Sequence, residues 1–304
     1  MQYTPALNTP ALSAAYWEQC GIEARDAGQH AQAEIHFAKA IGFEERPLSW
    51  LGLALSQMEL QRSDAAIESL RQAKRLSPGS GVVTHLLDTL TGGNPHRAPD
   101  GYVSWLFNTY APRFDNHLAS LAYQGPDMLR QLAEKAGWPA DRRLDILDVG
   151  CGTGLSGVPF RPCAARLDGI DLAPRMLEQA LRRGIYDQLH HGEAHDILQK
   201  LPAAAYDLVI AADTLIYIGD VSALFPLVEK VLKPGGSFLV TVETGSDEDA
   251  GYSLTGSGRY SHTDAYLLRC AGTGMTCRDR LDASIRIEAG RFTPARAYRF
   301  EKTA

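Results

Sequence analysis

The stretch that decides the fold is LDILDVGCGTG, residues 144–154. Its apolar first half predicts a buried strand. The glycines after it predict a tight turn, because side chains there would collide with a ligand or force φ above zero. Ligands of open α/β sheets bind just beyond the carboxyl ends of the strands. Leu155 stands where a dinucleotide fold would place a third glycine. Because a glycine-rich turn alone does not identify its ligand, a nicotinamide site and a plain solvent loop remain alternatives.

Apolar runs of the same kind follow along the chain. ARLDGIDL (165–172), YDLVIAAD (206–213) and GGSFLVTVE (235–243) are rich in Val, Ile and Leu, and helical stretches at 174–183 and 223–232 separate them. This alternation predicts an α/β fold with a doubly wound parallel sheet. The tail, residues 276–286 and 296–302, has no helix between its two apolar runs and predicts a closing strand pair with an antiparallel edge.

Acidic residues stand where these strands end. Asp171 ends the second strand, and its carboxylate can accept hydrogen bonds from both hydroxyls of a ribose. Pro174 opens the helix that follows. The cluster GEAHD (192–196) ends the third strand, and Asp213 ends the fourth. Because these ends meet at one edge of a parallel sheet, they predict a nucleoside site beside the glycine turn.

These motifs resemble the class I S-adenosylmethionine-dependent methyltransferases. The matching segments are DVGCGTG at the glycine turn, GIDL at the ribose acid, YDLVIAADTL at the fourth strand and LKPGG before the fifth. They lie within residues 140–243 in the order and spacing of the family. The resemblance implies S-adenosyl-L-methionine as the cofactor and a seven-stranded Rossmann-like sheet whose last strand is antiparallel.

The resemblance also implies a role for individual residues. Asp148 and Gly150 are expected near the methionine amino group, and Asp171 at the ribose. Glu193 is expected near the exocyclic amine of adenine, where the family more often has aspartate, and Asp196 is the alternative. The remaining expected contacts are Gly152 and Gly154 beside the cofactor, Leu172 and Met176 against adenine, Ala194 near its exocyclic amine, Tyr110 over the site, and Asp213 at the end of the fourth strand.

The N-terminal part carries an internal repeat. Residue pairs of similar type recur at a constant offset: Trp17/Trp50, Gly21/Ala54, Ala33/Ala66, Phe37/Leu70 and Ala40/Ala73. They resemble the tetratricopeptide repeat, which has a period of about 34 residues, although Glu45 stands at the closing proline position of the first copy. Residues 82–90 predict a further helix, and the Gly- and Pro-rich residues 91–101 predict a linker. We therefore expect an all-α repeat domain at 1–95 and a methyltransferase domain at 96–304.

This arrangement as a whole resembles the predicted tetratricopeptide-containing methyltransferases of bacteria. FNTYAPRFDNHL (107–118), RRGIYDQLHHGE (182–193) and GRYSH (258–262) carry that resemblance. In related methyltransferases a helix before the core covers the cofactor. Tyr110 and Phe114 are predicted on one face of such a helix, with Arg113 and Asp115 beside them, and core packing of the two rings is the alternative.

The stretch GYSLTGSGRYSH (251–262) follows the fifth strand, where loops overhang the ligand crevice. Arg259 is a candidate for holding an anionic substrate. His262 and Tyr260 are candidates for accepting a proton from a hydroxyl nucleophile. Tyr217, after the fourth strand, could line the acceptor pocket. Plain packing and a purely structural loop are the alternatives.

Composition excludes several other functions. The formal net charge of −6 argues against tight nucleic-acid binding. The five cysteines form no CxxC pair, and the His-rich segment 190–196 would point alternate side chains to opposite faces of a strand, so no metal site is expected. We expect no leader, no membrane span and a cytoplasmic location.

Three functions remain open from the sequence. The first is methyl transfer to the oxygen, nitrogen or sulfur of a small molecule, with the repeats serving dimerisation or packing. The second is a protein methyltransferase that recruits its substrate through the repeats. The third is a cofactor-binding module without catalysis. No Asn-Pro-Pro-Tyr or Asp-Pro-Pro-Tyr follows the fourth strand, which disfavours methylation of nucleic-acid bases or of glutamine.

Overall fold

A computed structural model describes residues 9–137, 141, 143–245, 251–288 and 290–303. Residues 1–8, where the sequence predicts no leader, lie outside this part. The chain divides into two compact units, residues 1–93 and 94–304. Within the described ranges, no helix combines the length and the apolar character needed to cross a bilayer.

The first unit is built from helices. They are α1 (Pro10–Asp26), α2 (His30–Phe43), α3 (Pro47–Glu59), α4 (Ser63–Leu76) and α5 (Gly81–Thr91). Thr9 accepts a hydrogen bond from the amide of Leu12 at the start of α1, and Gly92 ends α5 in the left-handed conformation. The helical character predicted for the repeat segment is confirmed.

Phe37 is the centre of packing in this unit. Its side chain is fully buried on α2, and its ring fills the space beside two glycines. A Cβ atom at Gly21 on α1 would lie 2.8 Å from the ring, and one at Gly52 on α3 would lie 2.3 Å from it. Three helices can therefore surround one aromatic ring only because two of them carry glycine where they face it.

The second unit contains the sheet. Its strands are β1 (Leu144–Val149), β2 (Ala164–Asp171), β3 (Gln188–His191), β4 (Tyr206–Ala211), β5 (Leu232–Thr244), β6 (Tyr252–Leu254), β7 (Tyr260–His262), β8 (Met275–Glu288) and β9 (Arg291–Lys302). Its helices are α6 (Asp100–Tyr110), α7 (Phe114–Ser120), α8 (Gly125–Lys135), α9 (Pro174–Arg183), α10 (Ala194–Lys200), α11 (Leu224–Val231) and α12 (Asp264–Ala271). The predicted strands and connecting helices are thus present.

The main strands lie in the order β3-β2-β1-β4-β5-β9-β8. Strands β1 to β5 are parallel, and β9 is inserted antiparallel between β5 and β8. A mixed sheet with antiparallel closing strands was expected and is confirmed. The expected number of seven strands is too low, because the short strands β6 and β7 pair with each other and extend the sheet at Glu243 and Thr244, the end of β5.

The core lies on both faces of the parallel strands. Leu208, Val209 and Ile210 on β4 are all fully buried, since helices cover the sheet on either side. Helix α8 packs against β5, β8 and β9 with Met128 and Leu129 inward. Because the middle of the sheet is filled in this way, the carboxyl ends of the strands are left to form a site.

Candidate active site

The glycine turn follows β1 and cannot be built from larger residues. Gly150, Gly152 and Gly154 have φ values of +71°, +54° and +95°, all in the left-handed region. A Cβ atom at Gly150 would lie 2.3 Å from Oγ1 of Thr214, at the end of β4. The amides of Gly150 and Cys151 both donate to the carbonyl of Ile170, at 2.8 and 2.9 Å. The turn is therefore pinned to the ends of two neighbouring strands.

Asp171 connects this turn with the start of α9. Its Oδ2 accepts a hydrogen bond from the amide of Gly152 and its Oδ1 one from the amide of Ala173, both at 2.8 Å. Burial raises the pKa of Asp171, while the two amides act in the opposite direction. Each carboxylate oxygen can accept a second hydrogen bond. The residue can thus hold the turn and still receive two hydroxyl groups.

Glu193 stands at the end of β3 and caps α10. Its side chain accepts hydrogen bonds from the amides of His195 and Asp196, at 2.8 and 3.3 Å. Although burial opposes it, the hydrogen bond from His195 and the charge of Arg97, 3.5 Å away, hold the pKa of Glu193 below its usual range. Asp196, the alternative considered from the sequence, is exposed and does not line the cavity described next.

A cavity of about 380 Å³ joins these elements, a size within the range of small-molecule sites. Its walls run from the glycine turn and the ends of β2 and β3 to α6, α7, the end of β4 and the end of β8. It brings together the following residues predicted from the sequence: Tyr110, Gly150, Gly152, Asp171, Leu172, Glu193, Ala194, Asp213, Tyr217 and Arg259.

Three of the predicted cofactor residues lie behind this wall. Asp148 is fully buried and accepts a hydrogen bond from the hydroxyl of Tyr186 at 2.7 Å, so its side chain does not line the cavity, and its expected place near the methionine amino group stays a prediction. Burial raises the pKa of Asp148 to about 7. Gly154 leaves room for the ring of Tyr186, which would lie 3.0 Å from a Cβ atom there. Met176 packs against Ala173 beneath the wall rather than against the cavity.

The two candidates for a proton acceptor are also away from the cavity. His262 is 1 % exposed, and its Nε2 lies 2.9 and 3.0 Å from the carbonyls of Ile218 and Gly219. Carbonyls accept only, so Nε2 carries hydrogen, and burial lowers the pKa of His262 to about 4. Tyr260 is fully buried against Tyr252. Both belong to the core around β6 and β7 and do not line the cavity, and their role as proton acceptors stays an untested prediction.

The segment expected to form one covering helix is broken. Helix α6 ends at Tyr110, a 3₁₀ turn spans Ala111–Arg113, and α7 begins at Phe114. Pro112 is the reason, because it lacks the amide hydrogen that a continuous helix needs. The break turns several rings toward the cavity. The ring of Phe107 lies 5.2 Å from that of Tyr217 and 5.9 Å from that of Phe114.

A network of ion pairs forms the end of the cavity beside β8. It was not predicted from the sequence. Arg286, 3 % exposed, is paired with Asp213, Glu243 and Glu288. Arg259 is paired with the last two, its Nε lying 2.8 Å from Glu243. We call these five residues the ion network. Arg259 lines the cavity, but the carboxylates of Glu243 and Glu288 already hold it, and its predicted role in binding an anionic substrate stays untested.

A second polar group fastens the glycine turn to α7. Arg183 donates from Nε to the carbonyl of Thr153 at 2.7 Å and also pairs with Asp115. The hydroxyl of Thr153 donates to the same carboxylate at 2.5 Å. We call these three residues the latch. It makes the position of the covering segment depend on the turn at the end of β1.

Comparisons with known proteins agree with this geometry. Residues 147–240 match the family model described as a methyltransferase domain. The chain is 32 % identical over 141 residues to the human methyltransferase-like protein 27, covering 46 % of this chain and 57 % of that protein. It is 33 % identical over 124 residues to the malonyl-[acyl-carrier protein] O-methyltransferase of Serratia marcescens, covering 40 % and 48 %. The chain thus spans about half the length of these curated relatives.

A likeness among solved structures concerns the fold alone. A chain of the complex between the Haloferax volcanii Trm112 methyltransferase activator and its methyltransferase superposes with a TM-score of 0.52 at 15 % identity. The match covers 66 % of this chain and 98 % of that one. The family match identifies residues 147–240 as a methyltransferase domain, and S-adenosyl-L-methionine is its cofactor.

Proposed function

We propose that this protein transfers the methyl group of S-adenosylmethionine to a small molecule bound in the same cavity. The observation that carries the proposal is the continuity of the cavity from the glycine turn and Asp171 to the aromatic side chains of α6, α7 and Tyr217. A concave site with an apolar wall and a few polar groups is typical of small-molecule binding. The Serratia marcescens relative is named as an O-methyltransferase, which supports the reaction class.

The residues at one end of the cavity fit the cofactor. The backbone of Gly150 and Gly152 approaches without side chains, and Asp171 offers acceptor positions for the ribose hydroxyls. Leu172 supplies an apolar surface for adenine, with Glu193 and Ala194 at its edge. When bound, the cofactor supplies an electrophilic methyl group on a sulfonium centre. The protein then has mainly to align the acceptor atom and exclude water.

Aromatic side chains on the cavity wall help to exclude water. Phe107, Phe114 and Tyr217 pack edge to face around the cavity, which removes water from the space between the two ligands. Burial raises the pKa of Tyr217 well above its usual value and that of Tyr102 to about 12. These phenols therefore stay protonated at neutral pH and act through shape and hydrogen bonding.

We also infer that residues 1–95 form a tetratricopeptide-like domain and residues 96–304 the methyltransferase domain. The support is that equivalent positions of the two sequence copies share the same environment. Ala33 and Ala66, as well as Phe37 and Leu70, are all fully buried. Residues of similar size thus occupy the same positions in successive helix pairs, as stacked repeats require.

The proposed function is tested with labelled S-adenosylmethionine and a cell extract. Calorimetry with S-adenosylhomocysteine first establishes binding to the full chain. Methyl label is then followed into the low-mass and the protein fractions of the extract. Label in the low-mass fraction supports the proposal. Label confined to proteins would contradict it in favour of a protein substrate, and binding without any transfer would favour a module that has lost catalysis.

A further inference from the structure

The cationic side chains on the cavity wall are all engaged by carboxylates. In the part of the chain that the structure describes, the wall carries Arg97, Arg259 and Arg286. Arg97 pairs with Asp100 and Glu193, and the other two belong to the ion network. An anionic acceptor bound by Arg259 or Arg286 would have to displace one of the pairs of the ion network and leave a largely buried carboxylate without its partner, which is costly. The wall therefore disfavours carboxylate and phosphate acceptors.

Negative charge is in excess on the same wall. It carries five carboxylates, those of Asp100, Asp171, Glu193, Asp213 and Glu288, against its three guanidinium groups. A net charge on the low-dielectric walls of a cleft favours ligands of the opposite sign. Asp171 and Glu193 lie at the end assigned to the cofactor. Asp213 and Glu288 lie at the other end, where Arg259 and Arg286 balance their charge on the wall. Glu243, just behind the wall, gives the ion network three carboxylates against two guanidinium groups.

Asp213 has features that single it out among these carboxylates. It adopts a φ of +54°, which is uncommon for a residue with a side chain. Its Oδ2 pairs with Arg286, whereas its Oδ1 is buried and has no hydrogen-bond partner among the described residues. The next residue, Thr214, touches Gly150 of the glycine turn. Asp213 thus lines the cavity close to the cofactor end, and its Oδ1, enclosed just behind the wall, has no hydrogen-bond partner among the described residues.

The aromatic rings complete the environment. Tyr102, Phe107, Tyr110, Phe114 and Tyr217 all line the cavity. Ring faces attract cations, by about 0.5–1 kcal/mol at exposed sites and about 2 kcal/mol or more where water is excluded. They also accommodate an apolar body. The rings and Asp213 would attract an ammonium group on such a body, whereas they offer no such attraction to a carboxylate or a phosphate.

We propose that the acceptor is an amine carried on an apolar or aromatic body, and that Asp213 determines this specificity by receiving its N–H groups. The inference rests on the proposed function and names its substrate class. The ammonium form first loses a proton to water. The nitrogen lone pair then forms the new N–C bond while the electron pair of the broken C–S bond stays on sulfur. The products are S-adenosylhomocysteine and the methylated ammonium ion, and the proton lost at the start is the one proton released.

The test is a binding experiment on the full chain saturated with S-adenosylhomocysteine. Matched amines, alcohols and carboxylates with three bodies, n-hexyl, 2-phenylethyl and naphthylmethyl, are titrated by calorimetry. We expect at least one amine to bind about tenfold more tightly than its alcohol, and the carboxylates to bind more weakly than the alcohols. Equal or tighter binding of the alcohols or carboxylates, or no saturable binding of any amine, would overturn the inference.

Two variants test whether Asp213 is responsible for the preference for amines. Asp213→Asn removes the charge at nearly constant shape and should reduce the preference for the amine over its matched alcohol about tenfold, measured on protein saturated with S-adenosylhomocysteine. Asp282→Asn, at a side chain 68 % exposed on β8, is the charge-matched control and should bind like the unchanged protein. An unaltered preference for the amine in Asp213→Asn would also overturn the inference. Failure of the proposed function is distinguishable, because it would show as absent S-adenosylhomocysteine binding before any amine is added.

Discussion

Asp148 offers a prediction that links one buried carboxyl to the stability of the second unit. The side chain is fully buried, receives one hydrogen bond from Tyr186, and its second oxygen has no partner among the described residues. Burial raises the pKa of Asp148 to about 7, compared with 3.8 for the unperturbed group. Between pH 3.8 and about pH 7, Asp148 therefore stays protonated in the folded chain, whereas it is ionised in the unfolded chain.

The sign and size of the change in the free energy of unfolding with pH follow from the difference in pKa between the folded and the unfolded chain. A raised pKa in the folded state contributes stability that is fully present below the unfolded pKa and is lost as pH rises through the folded value. Each unit of pKa difference is worth about 1.4 kcal/mol. Between about pH 5 and pH 8 this one group should remove about 2–3 kcal/mol from the free energy of unfolding. Asp148→Asn cannot ionise and should not lose that stability.

The assay is chemical denaturation of both proteins over this pH range, followed by circular dichroism. The transition of the second unit is assigned separately by its shift on addition of S-adenosylhomocysteine. The unpaired amide hydrogens of the variant add a constant cost, so the quantity to compare is the change with pH rather than the absolute stability. Asp282→Asn should follow the unchanged protein. Parallel pH profiles for Asp148→Asn and the unchanged protein would refute the reasoning.

Three further predictions concern the cofactor end, the latch and the first unit. Asp171→Asn should weaken S-adenosylhomocysteine binding by about 1.5–3 kcal/mol, because a charged acceptor of hydrogen bonds from two amides and the ribose becomes neutral. The control Asp196→Asn, at an exposed side chain, should leave the affinity unchanged, and equal affinities of both variants by calorimetry would contradict the ribose assignment. Arg183→Met should speed amide hydrogen exchange in α7, and unchanged protection there would argue against the latch. Phe37→Ala should destabilise the first unit by about 3–5 kcal/mol in urea unfolding, and a loss below 1 kcal/mol would mean that the ring does not support the three helices.

The parts of the fold that the sequence predicts are those governed by neighbours in the chain. The glycine turn, the apolar runs of β1, β2 and β4, and the helix at Pro174–Arg183 depend on local conformational preference and on burial of both sheet faces. The antiparallel closing strands were also predictable, because no helix separates them. The break at Pro112 had a visible signal, the proline itself, which the helical pattern around it concealed.

The ion network could not be read from the chain. Its members come from the end of β4, from β5, from the loop before β7 and from β8, and nothing in the local pattern indicates that they meet. For the same reason Arg259 looked available for a ligand. The burial of His262 was also not predictable, because its segment is rich in small polar residues typical of surface loops, whereas it pairs as a strand and buries the imidazole. Side-chain partners over long sequence separations decide these roles.

The placement of Arg286 has a consequence for any exchange of parts among such proteins. The guanidinium sits on the closing hairpin, β8–β9, yet its partners Asp213 and Glu243 belong to strands at the centre of the sheet. A hairpin transplanted from another protein without a cation at this position would leave the carboxylates of Asp213 and Glu243 close together with no positive charge from the hairpin. Recombination that respects only the strand boundaries would therefore fail here, and the hairpin and the two acids have to be inherited as one unit.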